Sequence, residues 1–212
     1  MNTLEFVKNK FDLDLDQEQI PIPIPNFGRN QLADLLHELD FKTGVEVGVA
    51  AGKYSQILCI ANPQMKLYGV DPWRPMKDYV DTIDRHVFEV TRKEAEDRLK
   101  GYPNYNIIYK TSMDAVKDFE DNSLDFVYID GNHNFDNVTN DIQEWSQKIR
   151  AGGIIAGHDY FRSRGHPDTQ VIKAVNTYTN ANKIRPWFVL GNEADNEGLI
   201  RDKPRSWMWV KQ

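Results

Sequence analysis

Two short segments carry side chains suited to proton transfer and cation binding. Asp130-Gly-Asn-His133 follows the apolar run Leu124-Asp-Phe-Val-Tyr-Ile129, and His158-Asp159-Tyr160 follows Ile154-Ile-Ala156 and one glycine. If the two runs are adjacent strands about 4.8 Å apart, Asp130 and Asp159 face one cleft. Paired carboxylates hold a hard divalent cation, which lowers the pKa of a hydroxyl bound to it. An unperturbed imidazole titrates near neutral pH, so His133, three residues after Asp130, is expected to suit the removal of that proton. His158 joins Asp130 and Asp159 as a candidate metal ligand, although imidazole is a poor partner for magnesium.

A third segment, Glu46-Val-Gly48-Val-Ala-Ala-Gly52, occupies the place of a nucleotide loop. A dinucleotide fingerprint needs glycine at 48, 50 and 53, and this chain has Ala50 and Lys53. A phosphate loop needs four residues between its glycines and Ser or Thr after the lysine; Gly48 and Gly52 enclose three, and Tyr54 follows Lys53. NAD and ATP are both disfavoured. What remains is an acid at a strand end, Gly48 for the turn, and Gly52 for close approach to a ligand without a pyrophosphate. Asp71 lies 19 residues beyond Gly52 at the end of the next apolar run, where an acid accepts both hydroxyls of a ribose.

The elements that must position these groups alternate. Leu32, Leu35, Leu36 and Leu39 give a helical stripe; Gly44–Gly48, Lys66–Asp71, Tyr105–Lys110, Leu124–Ile129 and Ile154–Ala156 read as strands. Between them fall a helix with Tyr54, Ile57, Leu58 and Ala61 on one face, and a charged helix within 74–100 bearing the pairs Glu89/Lys93 and Glu94/Arg98. A further helix places Phe135, Val138, Ile142, Trp145 and Ile149 together and breaks at Gly152-Gly153, and another fits 168–181. Trp187–Leu190 and Ser206–Val210 have no helix between them, so they pair as a hairpin. The fold class is α/β, Rossmann-like and doubly wound, with a mostly parallel seven-stranded sheet, an antiparallel C-terminal hairpin strand, and ligands at the carboxyl ends of the strands. Residues 1–27, acidic and then Pro-Ile-rich, read as an arm off the core, with 28–212 a single domain.

Composition limits the partners. The chain has 212 residues, 40% hydrophobic, with 26 basic against 32 acidic side chains, and one cysteine, Cys59. A single cysteine makes no internal disulfide, no apolar run approaches the ~20 residues of a membrane span, and the N-terminus lacks a signal-peptide layout. A cytoplasmic protein is expected, with a small-molecule partner and neither membrane nor nucleic acid, since duplex binding rests on neutralised phosphates.

The E-x-G-x-x-x-G pattern with Asp71 resembles the first motif of class I S-adenosylmethionine-dependent methyltransferases. SLDFVYIDGNHNFDNVTNDIQEWSQKIRAGGIIAGHDY, with GVEVGVAAGKYS, is similar to bacterial small-molecule O-methyltransferases related to macrocin O-methyltransferase and, more distantly, catechol O-methyltransferase. The resemblance covers about residues 30–212. It implies S-adenosylmethionine as donor, surrounded by Glu46, Gly48, Gly52, Asp71, Ser112, Met113 and Asp130, with Ser112 and Met113 bordering the adenine. It also implies Asp130 and Asp159 as ligands of Mg²⁺ or another divalent cation and His133 as base; His158 stands where some relatives have a metal-binding Glu, which leaves metal use open. No N/D-P-P-Y sequence follows the fourth strand, which favours a hydroxyl of a small molecule, such as a sugar or secondary metabolite, as acceptor. A nucleotide-dependent oxidoreductase, a sugar-modifying enzyme on a similar sheet and a non-catalytic cofactor-binding module stay as alternatives.

Further candidates are weaker. Trp73, Arg74 and Tyr79 could cover a substrate, and Arg162 and Arg164 could read an anionic group. Trp207 and Trp209 share a strand face and fit either core or the surface of a homodimer; Pro21–Pro25 reads as a tether, with cleft closure and subunit linkage as the other uses.

Overall fold

Short β-branched runs, each stopped by glycine or aspartate, build the middle of one mixed sheet. The computed structural model describes residues 2–75, 85–161, 169–192 and 200–212. The strands are β1 (Ile22–Ile24), β2 (Thr43–Val47), β3 (Lys66–Val70), β4 (Tyr105–Ile108), β5 (Leu124–Ile129), β6 (Ile149–Gly157), β7 (Phe188–Leu190) and β8 (Ser206–Val210). The helices are α1 (Thr3–Phe11), α2 (Arg29–Glu38), α3 (Lys53–Ala61), α4 (Arg85–Leu99), α5 (Ser112–Ala115), α6 (Phe135–Lys148) and α7 (Val171–Ala181). The sheet order is β1-β7-β8-β6-β5-β2-β3-β4, and β8 alone runs against its neighbours. The hairpin of the last two strands is present as expected, with Val189 opposite Trp207.

Strands covered on both faces are mostly apolar, and β5 and β8 are buried at every residue, Asp125 and Ser206 included. One core layer gathers Leu32, Leu36, Leu58, Phe126 and Met208; the other gathers Val127, Ile142, Trp145 and Trp207. Trp207 and Trp209 stack at 5.1 Å and are buried within the single chain, which assigns them to the core rather than to a dimer surface.

Several expectations are corrected. The sheet has eight strands, because Ile22-Pro-Ile24 adds in parallel to β7. Ile22 and Ile24 are buried while Pro23 points outward, so the segment is core at alternate residues, and proline is tolerated because this strand is the edge. The residues before the acidic stretch form a helix, α1, held by an Asn2/Glu5 capping box and ended at Asp12. Helix α6 ends at Lys148, not at Gly152-Gly153; those glycines lie inside β6, where a Cβ on Gly153 would meet Ile149 Cγ2 at 2.5 Å and Asp125 O at 2.6 Å. The ion pairs of α4 are Arg92–Glu96 at 2.7 Å and Arg85–Glu89 at 3.7 Å, whereas Arg98 donates to Ala51 O at 2.9 Å because its turn of the helix packs on the β2–α3 loop. No helix of the described residues is long and apolar enough to cross a membrane.

Burial of β1 sets its energetic weight. Ile24→Ala leaves a cavity beside β7 and is expected to lower stability by about 2–4 kcal/mol, read from urea midpoints. A change below about 0.5 kcal/mol would show that the segment is peripheral after all.

Candidate active site

The carboxyl ends of β2, β3 and β5 open into a cleft of about 260 Å³. The turn after β2 forms its base. Gly48 sits at φ +91°, and a Cβ there would lie 2.0 Å from Asp130 O, so only glycine lets the β2 and β5 ends close together. Gly48 N donates to Val70 O at 2.9 Å, and Asp130 N to Val47 O at 2.7 Å, locking the three strand ends in register. Gly52, at φ +71°, opens α3; a Cβ on it would press on Leu99 and Ala95 of α4. The close approach expected there is therefore to a helix, and Gly52 does not line the cleft.

Asp71 lines the cleft, and its carboxylate also organises the loop. Oδ2 accepts from Val49 N and Ala50 N, both at 3.0 Å, and Oδ1 accepts from Trp73 N at 2.8 Å. Burial raises its pKa; the three N–H donors oppose the shift without cancelling it. Trp73 Nε1 donates to Ala50 O at 2.9 Å, closing a ring of contacts between the first two strand ends. Ala50 and Trp73 are both held at positive φ, 47° and 39°, in the region that disfavours side chains. Trp73 and Arg74 do border the cleft, whereas Tyr79, Arg162 and Arg164 lie outside the described residues.

Glu46 does not reach the cleft. Its carboxyl lies beneath the loop, 3% exposed as a residue, accepting from the Ser55 hydroxyl and from Tyr105 Oη at 3.1 Å. Burial, opposed by the Ser55 hydrogen bond, pushes its pKa up to about 8, so it is held mainly uncharged at neutral pH. The E of the E-x-G-x-x-x-G pattern is thus a strut between β2, α3 and β4 rather than a ligand contact.

At the β4 end, Thr111 caps the short α5, and Ser112 and Met113 line the cleft. The Ser112 hydroxyl donates to Asp141 Oδ1 and accepts from Trp145 Nε1 at 2.8 Å. Asp141 is a cleft residue the sequence reading missed. Its signal was available: it lies three residues beyond Val138 and four before Trp145, on the apolar face of α6, where a carboxylate has no ordinary reason to be.

Beyond the β5 and β6 ends, two carboxylates and two imidazoles converge. His133 Nε2 is 2.8 Å from Asp159 Oδ2 and 3.7 Å from Asp130 Oδ1; His158 Nδ1 is 3.6 Å from Asp130 Oδ2 and 3.7 Å from Asp159 Oδ2. Burial alone would lower both imidazole pKa values, but the carboxylates outweigh it and hold His133 at about 10 and His158 at about 9. The carboxylates, which burial would raise, are held below their ordinary range by the same partners. Ligand atoms of Asp130, His133 and Asp159 lie within 4.8 Å of one another, so the convergent trio contains His133 where His158 was expected. His158 sits deeper, and its carbonyl accepts from Trp207 Nε1 at 3.1 Å. Asp130 belongs to both halves: it lines the cleft and faces both imidazoles.

A mostly parallel α/β sheet with a glycine turn after the first central strand, a carboxylate after the second and a cleft across their ends defines a Rossmann-like domain. The chain belongs to the methyltransferase-domain family, whose model matches residues 45–160, more than half of its length. It is 32% identical over 130 residues to an uncharacterized protein of Sinorhizobium fredii, a match covering 59% of this chain and 14% of that protein. An uncharacterized protein of Acanthamoeba polyphaga mimivirus is 28% identical over 171 residues, 77% of this chain and 73% of that protein. The chain therefore spans about a seventh of the first of these relatives and nearly three quarters of the second.

Solved structures share the fold at low identity. An O-methyltransferase from Bacillus cereus in complex with SAH aligns with TM-score 0.60 at 12% identity, covering 99% of this chain and 90% of that one. The O-methyltransferase TomG from Streptomyces achromogenes, in complex with SAM, aligns at 0.58 and 14% over the same shares. The CurJ carbon methyltransferase aligns at 0.56 and 13%, covering 85% of this chain and 52% of that one, so one fold serves more than one acceptor atom.

Glu46 supplies a pH test. Its folded pKa of about 8 lies above the ordinary carboxyl value, so the folded state binds this proton more tightly than the unfolded state. The full stability is present below the unfolded pKa and is lost as pH rises toward and through the folded one. From about pH 5.5 to about pH 8.5, Glu46→Gln is expected to gain on the order of 3 kcal/mol relative to the parent. Parallel urea melts check this; equal losses in both proteins would mean that Glu46 is ionised in the fold.

Proposed function

We propose that the chain is an S-adenosylmethionine-dependent O-methyltransferase acting on a hydroxyl of a small molecule, and that the donor occupies the cleft across β2, β3 and β5. The observation that carries this reading is the shared position of Asp130, which joins an apolar-walled cleft to a carboxylate–imidazole cluster. S-adenosylmethionine, when bound, supplies a methyl group already activated on a sulfonium. The protein's task is then to align groups, exclude water and accept a proton.

The residues present fit that donor. Asp71 faces the cleft while three backbone N–H groups hold its carboxylate, leaving remaining lone pairs for ribose hydroxyls. Val47, Val70 and Met113 give the apolar walls that an adenine ring prefers. Gly48 borders the same cleft, with its turn held against the β5 end. His133 is the proposed base for the acceptor hydroxyl, with Asp159 2.8 Å from its Nε2. Because the ring's pKa is about 10, only its neutral form can take the proton, so turnover is expected to rise with pH through the neutral range. A divalent cation also fits between Asp130, His133 and Asp159, in which case His133 would give its lone pair to the ion rather than act as base; two carboxylates with one imidazole suit manganese, iron or zinc better than magnesium. Such an ion would acidify the acceptor hydroxyl. A sugar or secondary metabolite is the proposed acceptor class.

A thermal-shift comparison tests the donor. S-adenosylhomocysteine is expected to raise the melting temperature, NAD and ATP are not, and a response to NAD alone would end the proposal. In turnover assays, Asp71→Ala is expected to weaken donor affinity at least about 10-fold, because it removes both the ribose acceptor and the loop's anchor. His133→Ala is expected to lower kcat about 100-fold or more with donor affinity kept within about 3-fold; the reverse pattern would overturn the two roles.

A further inference from the structure

A cation near the crest belongs neither to the glycine loop nor to the imidazole cluster. Arg29 is the first residue of α2, and its backbone is fixed on both sides: Arg29 N donates to Asp202 Oδ2, and Arg29 O accepts from Tyr54 Oη, each at 2.9 Å. Asp202 is itself wedged, since a Cβ on Gly28 would lie 3.2 Å from its Cβ and one on Gly191 would lie 2.4 Å from it. Buried there, Asp202 also accepts from Ser206 Oγ at 3.4 Å, so the 2.9 Å contact between Ser206 and Tyr128 runs from the phenol to the serine oxygen. The α2 N-terminus is thus answered by a protein carboxylate, and both phenol hydroxyls are engaged within the chain.

The guanidinium is what these contacts leave over. It lies half-buried, 5.5 Å above the centroid of the Tyr54 ring; Tyr54 packs on Tyr128 at 4.5 Å, and the Tyr128 ring is 6.4 Å from that of His158. Among the described residues this side chain makes no hydrogen bond and no ion pair. Burial would lower its pKa, but Tyr128, Asp130 and Asp202 outweigh that effect and raise it, which places the guanidinium within electrostatic reach of Asp130. A planar fork of donors, held on an aromatic shelf beside the acid–imidazole cluster and given no protein acceptor, suits bidentate capture of a planar anion. Its single charge matches a carboxylate better than a doubly charged phosphate. Resting on the O-methyltransferase reading above, we infer that Arg29 binds a carboxylate on the acceptor, so that the substrate class is a hydroxy acid or carboxylated sugar whose hydroxyl is presented to Asp130, His133 and Asp159. Arg29 decides which acceptor binds and takes no part in the proton transfer.

The test measures binding of matched pairs to the full chain loaded with S-adenosylhomocysteine, by calorimetric titration at neutral pH. The pairs are glucuronate against glucose and protocatechuate against catechol, with glucose phosphate as the phosphate arm. The parent protein is expected to bind at least one acid about 10- to 100-fold more tightly than its neutral partner, the range that a charge-assisted pair supplies. Arg29→Gln is expected to reduce that preference to within about 3-fold and to keep S-adenosylhomocysteine affinity within about 3-fold, with thermal melts reporting whether it is folded. Arg29→Lys keeps the charge and loses the fork, so its preference is expected to fall between the two; if the Gln variant does not fold, an unchanged preference in Arg29→Lys overturns the inference. Equal affinity of the parent for acid and neutral partners, binding of neither acid, tighter binding of glucose phosphate than of glucuronate, or an undiminished preference in Arg29→Gln would each overturn it as well. Failure of the parent to bind S-adenosylhomocysteine would instead remove the donor reading, and the acid preference is then read on the unloaded chain, so the two failures are distinct.

Discussion

Five carboxyl groups lie buried at or beside the carboxyl edge of this sheet, and the architecture there is a set of answers to the cost of burying charge. Desolvation disfavours the ionised form of each, so Glu46, Asp71, Asp130, Asp141 and Asp159 could not all stay ionised without compensation. Each is treated differently. Glu46 is buried under the loop and kept uncharged up to about pH 8. Asp71 takes three backbone N–H groups, Asp130 and Asp159 share two imidazoles, and Asp141 leans on one hydroxyl. The sequence of these solutions along the crest gives it polarity: neutral beneath the first turn, hydrogen-bonded at the second strand, charge-paired at the fifth and sixth.

Close backbone approach makes that arrangement geometrically available. Gly48 lets the turn after β2 touch Asp130 O, which brings the cleft within reach of the imidazoles. Gly157, where a Cβ would meet Trp207 Cζ2 at 2.3 Å, lets β8 lie against β6 just before His158 and Asp159. The reversed strand thus matters to the site: the Trp207 indole fixes the His158 carbonyl, and with it the turn that presents Asp159. A substitution at either glycine would act on the site through strand spacing, without touching a polar group.

Much of this was legible in the sequence for identifiable reasons. Alternation of β-branched runs with 3.6-period stripes marks the parallel sheet, and residues that end such runs fall at its carboxyl edge; Asp71, Asp130, His133 and Asp159 were found that way. What was not legible depended on partners far along the chain. Glu46 reads as a ligand contact until Ser55 and Tyr105 are seen to take its carboxyl. Gly52 reads as room for a ligand until Ala95 and Leu99 fill that room. Ile22-Pro-Ile24 reads as polyproline because only the edge of β7 gives its alternate burial a purpose. Residues that do chemistry share a local signature, whereas residues that support them are defined by long-range contacts.

The imidazole cluster makes poor sense as a device for stability alone. Buried ion pairs are often matched or bettered by apolar side chains of similar volume, because desolvation offsets their attraction. Asp159 adds a backbone cost, since it adopts φ +57° two residues after the end of β6. That turn is the point at which its Oδ2 meets His133 Nε2, so the strain and the 2.8 Å contact have one geometric origin. Ala50 and Trp73, on the opposite side of the cleft, carry the same kind of strained backbone and the same immediate consequence, a fixed contact at the crest. Of the non-glycine residues at positive φ, Ala50, Trp73 and Asp159 fall at this edge, and each fixes a defined polar contact there. A carbon nucleophile attacking through its π-electrons has no O–H proton to surrender before the methyl group arrives. An alcohol does, and on the proposed reading the neutral form of His133, beside Asp159, receives it.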